Sequence, residues 1–280
     1  MPIDIMSAFS NEPEELDFVW PGFLAGTVGA LVAPGGTGKS YFALQAAMSV
    51  ACEEADLLRL KPKYHGQVVY LAAEDPEPVL IRRLHSIGQY LSPVAREIVA
   101  ENLTIEPVLG KRIDIMQDRH LRYLADYCAE VRLIVLDTLS RFHSLDENSN
   151  SDMSRVVSAL EYLADQTGSA ILYLHHVSKF SARENQTDQQ SARGAAALID
   201  NARWCGFVAK MSESESQRLS DMPHSRLPIG DRRGLFVRFG VSKQNYDLIQ
   251  ADRWYERRGG GVLMPVELFS AKKGGERNEA

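Results

Sequence analysis

The sequence predicts an α/β fold: a mostly parallel sheet flanked by helices, with antiparallel strands toward the C-terminal end. Short apolar segments alternate with segments of helical periodicity, which is the order typical of parallel sheets. The apolar segments are rich in Val, Leu and Ile without clear alternation, which favours strands buried on both faces. After about residue 200 the pattern changes to short strands and Gly-rich turns, with no linker-like segment between. We therefore expect these strands to extend the same sheet.

The predicted strands cover, in chain order, residues 27–32, 68–72, 103–107, 133–136, 170–174, 204–211 and 235–241. Residue type also marks two helix boundaries. Ser92 followed by Pro93 is typical of an N-cap and the first helical position. A second helix is expected after Asp152, because apolar residues recur there on one face, and Gly168 is a suitable C-cap.

The composition is that of an ordinary globular chain. Of its 280 residues, 45% are hydrophobic and 24% charged, which argues against disordered, collagen-like and membrane classes. No apolar run approaches the roughly 20 residues that cross a bilayer, and no basic residue precedes Lys39, whereas a secretory leader requires one. Cys52, Cys128 and Cys205 are far apart and fit no metal-ligand spacing. We expect a cytoplasmic protein without membrane contact, whose cysteines are packing residues.

Three parts are expected along the chain. Residues 21–268 form the main domain, and residues 269–280 form a flexible tail. Residues 1–20 form an N-terminal segment with apolar side chains among acids, which suits an arm that contacts another subunit or, alternatively, a frayed tail. The net charge of −6 at pH 7 repels a polyanion, so any nucleic-acid site must be a local concentration of Lys and Arg.

A glycine-rich turn follows the first predicted strand. Residues 33–40 read Ala-Pro-Gly-Gly-Thr-Gly-Lys-Ser, which fits the P-loop pattern except for Ala at the first position. Glycines let backbone N–H groups converge on phosphate oxygens, while the lysine reaches the β- and γ-phosphates and the serine hydroxyl binds Mg²⁺. The candidate residues for binding ATP are Gly35, Gly36, Thr37, Gly38, Lys39, Ser40 and Tyr41. An ordinary Gly-rich strand-to-helix turn is the alternative.

Carboxylates follow two other predicted strands. Asp137 ends the apolar segment 133–136, where P-loop enzymes place the acid that supports Mg²⁺. Glu74 and Asp75 follow segment 68–72, at the sheet edge where a carboxylate can activate the attacking water. Glu74 is nearer to the strand and is our candidate base; a charged pair that begins the next helix is the alternative.

Two histidines end the predicted strand 170–174. His175 and His176 are candidates for sensing the γ-phosphate, with His175 counted among the candidate catalytic residues. Neighbouring residues on a strand point to opposite faces, so this pair is poorly suited to chelating one metal ion. A structural histidine is an equally good interpretation for either one.

The order of these parts is similar to that of RecA-type ATPases, and further sequence blocks narrow the resemblance. These blocks are Leu16-Asp17-Phe18-Val19, Ala25-Gly26-Thr27-Val28-Gly29-Ala30-Leu31-Val32, Leu136-Asp137-Thr138-Leu139, Arg141-Phe142-His143, Leu174-His175-His176, Ser191-Ala192-Arg193-Gly194, Asp200-Asn201-Ala202-Arg203-Trp204, Val237-Arg238-Phe239-Gly240-Val241-Ser242-Lys243, Asn245-Tyr246 and Ala251-Asp252-Arg253-Trp254. From about residue 16 to 265 the chain resembles the RepA-type hexameric replicative helicases of broad-host-range plasmids.

The resemblance implies a RecA-like core that assembles as a homohexameric ring, moves along single-stranded DNA and unwinds duplex with ATP and Mg²⁺ during plasmid replication. Each active site lies between two subunits. Lys39, Ser40, Asp137 and Glu74 keep their P-loop, magnesium and catalytic roles. Arg203 matches the arginine finger that reaches a neighbour's γ-phosphate; a plain salt bridge is the alternative. The resemblance also implies origin-binding and primase proteins as partners.

Two further expectations concern the neighbour and the DNA. Lys243 is a second candidate for acting in trans, although Lys-Gln-Asn stands here where many related helicases have Lys-x-Arg. In a ring, loops 143–152 and 177–194 face the channel. The second loop holds Lys179, Arg183 and Arg193, which suit phosphate contact without base reading, unless it is only a solvated surface loop.

Two other classes of function remain open. One is a RecA-like regulatory or recombination ATPase that binds nucleic acid without unwinding it. The other is a small-molecule phosphotransferase, which the polar loops disfavour because they lack the arginine clusters of a typical lid.

Overall fold

The computed structural model describes residues 2–177, 196–246 and 251–272. Within them, a nine-stranded sheet has the order β12-β11-β10-β8-β3-β7-β6-β4-β5. Its strands are β3 Val28–Ala33, β4 Val68–Ala72, β5 Leu103–Pro107, β6 Leu133–Asp137, β7 Ala170–His176, β8 Trp204–Lys210, β10 Phe236–Gln244, β11 Arg253–Arg257 and β12 Leu263–Val266. Short pairs are formed by β1 Phe18–Trp20 with β2 Phe23–Leu24, and by β9 Leu219–Ser220 with β13 Phe269–Ser270.

The helices connect and cover the sheet. They are α1 Ile5–Ser10, α2 Lys39–Ala51, α3 Glu77–Gly88, α4 Pro93–Asn102, α5 Asp118–Tyr127, α6 Asn150–Thr167, α7 Ala196–Asn201 and α8 Glu213–Arg218. The predicted boundaries at Ser92 and Gly168 are confirmed. The Ser92 hydroxyl accepts a hydrogen bond from the Ala95 amide, and Gly168 ends α6 with a φ of 69°. Helix α6 begins earlier than expected, because Ser149 caps it.

The predicted fold class is confirmed. Strands β8, β3, β7, β6, β4 and β5 run parallel, each paired in register with the next. Strand β7 is longer than predicted because His175 and His176 continue its pairing with Val32 and Ala33 of β3. Strand β5 corrects one expectation: it is an edge strand with four partly buried residues and one exposed residue, since β4 alone pairs with it among the described strands.

The C-terminal strands extend the same sheet, as predicted. Strand β10 pairs antiparallel with β8, and β11 and β12 continue the antiparallel order to the sheet edge. A single 3₁₀ turn, Gly259–Gly261, joins β11 to β12, and its Gly260 has a φ of 73° that favours glycine. Strands β11 and β12 were not predicted: charged residues interrupt the apolar pattern of β11, and the four-residue β12 contains a proline, which is unusual inside a strand.

Two hydrophobic cores lie on opposite faces of the sheet. One contains apolar residues of α2, α3 and α4, and the other contains those of α5, α6 and α7. Side chains alternate between the two along β3: Leu31 belongs to the first core, and Ala30 and Val32 belong to the second. The parallel strands are therefore covered on both sides, which explains their continuous apolar sequence.

The two ends of the described chain differ in burial. In α1, the apolar side chains of Ile5, Met6 and Phe9 are 63%, 70% and 79% exposed. Trp20 is buried, with its ring centroid 5.5 Å from that of Trp204. At the other end, Phe269–Ser270 were expected in the flexible tail but pair with β9.

The three cysteines are buried and free, which confirms their interpretation as packing residues. Among the described residues, no helix is long and apolar enough to span a bilayer.

Candidate nucleotide-binding site

The glycine-rich turn at residues 33–40 leaves β3 at its carboxyl end and leads directly into α2. Gly36 and Gly38 have φ angles of 69° and 100°, a region that side chains disfavour, so these positions require glycine. The Thr37 hydroxyl donates a 2.6 Å hydrogen bond to the Pro34 carbonyl and closes the turn on itself. This backbone has the form expected of a loop whose amides converge on an anion.

Lys39 is the first residue of α2 and is only 4% exposed. Its Nζ has no hydrogen-bond partner, which is unusual for a buried ammonium group. Burial lowers the pKa of this amine to about 8, against the opposing effect of Asp137 and Glu74. A buried cation without a partner is suited to a ligand that brings negative charge.

Asp137 ends β6 beside the P-loop and is 2% exposed. Its Oδ1 accepts a 3.3 Å hydrogen bond from the Ser40 hydroxyl, and its Oδ2 accepts a 2.6 Å bond from the Tyr70 phenol. Burial raises the pKa of Asp137, while the Tyr70 bond and the Lys39 charge act in the opposite direction. The structure thus brings the predicted residues Ser40 and Asp137 together.

The Ser40 and Asp137 oxygens fit a magnesium ion. Mg²⁺ prefers oxygen ligands and takes one or two from protein while phosphates and water supply the rest. A hydroxyl and a carboxylate oxygen 3.3 Å apart, next to the unpartnered Lys39 amine, form such a partial ligand set. Among the described residues, no group of three or more His, Cys, Asp or Glu forms a separate metal site.

Glu74 follows β4 and contacts one of the two predicted histidines. Its Oε1 lies 3.0 Å from Nε2 of His176. This hydrogen bond is the main cause of the lowered pKa of Glu74. Burial is the next largest effect and acts in the opposite direction, raising the pKa. The carboxylate is therefore ionised and held at the same sheet edge as Asp137 and Lys39.

His175 points to the opposite face from His176, as expected for neighbours on a strand. It is 7% exposed, and burial together with the nearby Lys39 charge lowers its pKa to about 4. The imidazole is therefore neutral at neutral pH. Of the pair, His176 contacts the candidate base, and the Lys39 charge acts on His175.

Tyr41 and Asp75 link the site to its surroundings. The Tyr41 phenol donates to the Gly260 carbonyl, so this side chain points toward the turn between β11 and β12. The Arg83 guanidinium lies 5.2 Å from the Tyr41 ring centroid and pairs with Asp75 at 2.6 Å. Asp75 is therefore tied to helix α3, whereas Glu74 faces His176.

Arg203 and Lys243 lie at the opposite edge of the sheet. The Arg203 amide donates to the carbonyl of Val28, the first residue of β3. The P-loop follows the other end of this strand, so the two positions are separated by the strand's length of about 20 Å. Lys243 pairs with Cys205 on the neighbouring strand, and its Nζ donates to the Ile199 and Asp200 carbonyls. The pKa of Lys243 is lowered by burial and, secondarily, by the Arg203 charge.

The surroundings of Arg203 do not support the plain salt bridge. Its side chain is exposed, and no ion pair within residues 2–177, 196–246 and 251–272 includes it. It lines a cleft of about 380 Å³ with residues of α6 and α7, among them the acidic residues Glu161 and Asp200. The candidate DNA contacts Lys179, Arg183 and Arg193 lie outside the described residues.

Three side chains near the site were not predicted: the phenol of Tyr70 and the cations of Arg257 and Lys210. Tyr70 orients Asp137, and Arg257 contacts the P-loop backbone. Lys210 lies near Gly36, since its Nζ would be 3.9 Å from a Cβ atom added at that glycine. A tyrosine within the apolar segment 68–72 was the one available signal, because a buried phenol needs a hydrogen-bond partner. Nothing local in the sequence connects Lys210 or Arg257 with residues 33–40.

The fold and the site together define a RecA-like P-loop domain. A family model described as "AAA domain" matches residues 2–182, and the chain belongs to this family. Among solved structures, the chain is similar to one described as an ATPase domain, with a TM-score of 0.62 and 12% identity over 94% of this chain and 96% of that one.

It is also similar to a DnaB-like replicative helicase whose structure was described with its interactions with primase. That likeness has a TM-score of 0.62 and 14% identity, and it covers 93% of this chain and 64% of the other. The chain thus spans under two thirds of that helicase. At these identities the likeness shows a shared fold.

Proposed function

We propose that this protein is an ATP-dependent replicative DNA helicase that works as a homohexameric ring on single-stranded DNA during plasmid replication. The observation that carries the proposal is the separation of two sets of residues in one chain. Lys39, Ser40, Asp137 and Glu74 meet at the carboxyl edge of the sheet, whereas Arg203 lies at its amino edge. A finger in that position serves the site of another subunit.

The hydrolytic chemistry follows from the four residues at the carboxyl edge. The P-loop amides and Lys39 would hold the β- and γ-phosphates, and Ser40 with Asp137 would hold Mg²⁺, which would supply positive charge to the phosphates. Glu74 accepts a proton from water as the water oxygen bonds to the γ-phosphorus and the bond to ADP breaks. Its lowered pKa keeps the carboxylate ionised for this role. For this step the carboxylate must exchange its bond with His176 for one with water.

The neighbouring subunit completes the site. Arg203, exposed and without an ion-pair partner among the described residues, stabilises negative charge that grows on the γ-phosphate. Lys243 lies near it and is a second cation on the same face, although two backbone carbonyls already hold its ammonium group. A site shared in this way repeats head to tail from subunit to subunit, and the proposal is that the repeat closes into a ring, which is the basis of movement along DNA.

The N-terminal segment is proposed to contact a neighbouring subunit. The exposed apolar side chains of Ile5, Met6 and Phe9 lie on a helix with no buried residue. Exposed apolar clusters of this kind mark interaction surfaces. Phe9→Asp should lower the oligomeric mass measured by light scattering; an unchanged mass would show that the segment is a free tail.

DNA, origin-binding and primase proteins are the proposed partners. The similarity to a DnaB-like helicase studied with primase supports primase in particular. Lys179, Arg183 and Arg193 remain the proposed phosphate contacts, and binding through them should weaken steeply with salt.

A forked duplex tests the proposal. With ATP and Mg²⁺, the wild-type protein should separate the strands, and Lys39→Ala should not. ATP turnover stimulated by single-stranded DNA without strand separation would instead favour the alternative, a regulatory or recombination ATPase that binds nucleic acid without unwinding it.

A further inference from the structure

The C-terminal hairpin, residues 253–266, folds back onto the helix that follows the P-loop. The Gln45 side chain donates to the Leu263 carbonyl at 2.9 Å and accepts from the Leu263 amide at 2.8 Å. The Tyr41 phenol donates to the Gly260 carbonyl one turn earlier in α2. The buried Gln45 side chain thus makes the two backbone hydrogen bonds at Leu263 that a further strand would otherwise make at this sheet edge. These contacts fix the hairpin beside residues 33–40.

Arg257 extends from this hairpin to the P-loop itself. Its Nη2 donates to the Thr37 carbonyl. The same nitrogen would lie 3.2 Å from a Cβ built on Gly38, so the guanidinium packs directly against that residue. A larger residue at position 38 would displace it.

No carboxylate balances the charge of Arg257 within the described part of the chain. Its Nε is buried and has no hydrogen-bond partner. Arg258, the next residue, is exposed and pairs with Glu256 at 2.7 Å. Arg257 therefore contributes an unneutralised positive charge at the P-loop. An arginine with a purely structural role, held in an ion pair, would contribute no such net charge.

The hydrogen bond also fixes the orientation of one peptide group. In a trans peptide the C=O and N–H point in opposite directions. Holding the Thr37 carbonyl toward Arg257 therefore directs the Gly38 amide to the other side, away from the hairpin. Gly38 needs its φ of 100° for this orientation, and an amide held before the ligand arrives binds an anion at lower entropic cost.

We propose that Arg257 is a positioning residue of the same subunit's nucleotide site, which orients the Thr37–Gly38 peptide and adds positive charge for the polyphosphate. The inference rests on the proposed function, since it assumes that the P-loop binds a nucleoside triphosphate. It assigns part of that site to the antiparallel hairpin, 220 residues along the chain from Thr37.

The test compares Arg257→Ala with the matched control Arg258→Ala. Isothermal titration should give a Kd for Mg-ATP and for Mg-ADP about tenfold higher for Arg257→Ala than for wild type, in line with loss of a charged hydrogen bond. Arg258→Ala should bind like wild type. Arg257→Lys should recover part of the affinity, and added guanidinium chloride at millimolar concentration should recover part of it for Arg257→Ala.

A merely structural role predicts another pattern: a lower thermal midpoint of the nucleotide-free protein and no rescue by guanidinium. Either that result or wild-type affinity in a folded Arg257→Ala would overturn the inference about Arg257. The proposed function would still stand in that case, provided that the wild-type protein hydrolyses ATP. If wild-type protein bound neither nucleotide, the proposed function would itself fail.

Discussion

The Tyr70 phenol donates a 2.6 Å hydrogen bond to Oδ2 of Asp137 across two adjacent parallel strands. Both side chains are almost completely buried. Since the other carboxylate oxygen, Oδ1, accepts from Ser40, the phenol fixes which oxygen faces the P-loop. Tyr70 thus orients the carboxylate of the candidate magnesium site from the side opposite the P-loop.

Tyr70→Phe should weaken magnesium-dependent activity. The substitution removes the donor to a buried carboxylate, which destabilises the fold by about 1–3 kcal/mol. Loss of such a supporting bond commonly costs about tenfold in metal affinity. The Mg²⁺ concentration for half-maximal ATP turnover should rise by that factor.

Tyr173→Phe is the matched control, because this buried phenol donates to the Leu198 carbonyl, away from the site. It should lower thermal stability without changing the magnesium requirement. An equal change in magnesium requirement for both variants would mean that Tyr70 acts only through general stability.

Lys39 should make nucleotide binding dependent on pH. Burial lowers the pKa of its amine to about 8, so in the free site the charge is lost as the pH rises through that value. Phosphates favour the charged form, so binding above about pH 8 takes up a proton and affinity falls as pH increases. Titrations of Mg-ATP in two buffers of different ionisation enthalpy, near pH 8.5, should show this uptake.

The same shift affects stability in a defined direction. Because the folded-state pKa lies below the usual lysine value of 10.5, the folded state disfavours the protonated amine, and this group's contribution to stability improves between about pH 8 and 10.5.

The control for the proton uptake on binding Mg-ATP is Lys210→Arg, at an exposed lysine near Gly36, which should keep the uptake. Uptake that persists in Lys39→Met would assign the proton to another group.

The His176 contact sets the ionisation of Glu74. Because that hydrogen bond lowers the pKa of Glu74, its removal in His176→Ala should raise the pKa, and the acid limb of the kcat/KM profile for ATP should move to higher pH. His176→Gln keeps an amide donor and should move the limb less. Identical acid limbs in all three proteins would exclude Glu74 as the titrating base.

Much of the site could be predicted because its parts are local in sequence. Residues 33–40 carry their own conformational requirements, and Asp137 and Glu74 each follow an apolar segment that must become a buried strand. The carboxyl ends of parallel strands meet at one edge, so strand order brings these residues together. The same logic identified His175 and His176, although only the structure shows which of them contacts Glu74.

The unpredicted parts depend on contacts between distant segments. Tyr70 meets Asp137 only because β4 and β6 are neighbours, and Arg257 meets Thr37 only because the C-terminal hairpin returns to α2. Charged residues in β11 obscured that strand. Periodicity describes which face of an element is buried, but it does not specify which side chain on another element it meets.

Each nucleotide site is proposed to use the P-loop of one subunit and Arg203 of the next. Lys39→Ala and Arg203→Ala should each be inactive alone, the second with nucleotide binding largely retained. Mixing the two proteins creates interfaces with an intact P-loop on one side and an intact finger on the other, so ATP turnover should reappear in the mixture. A mixture that forms joint oligomers yet stays inactive would contradict a shared site.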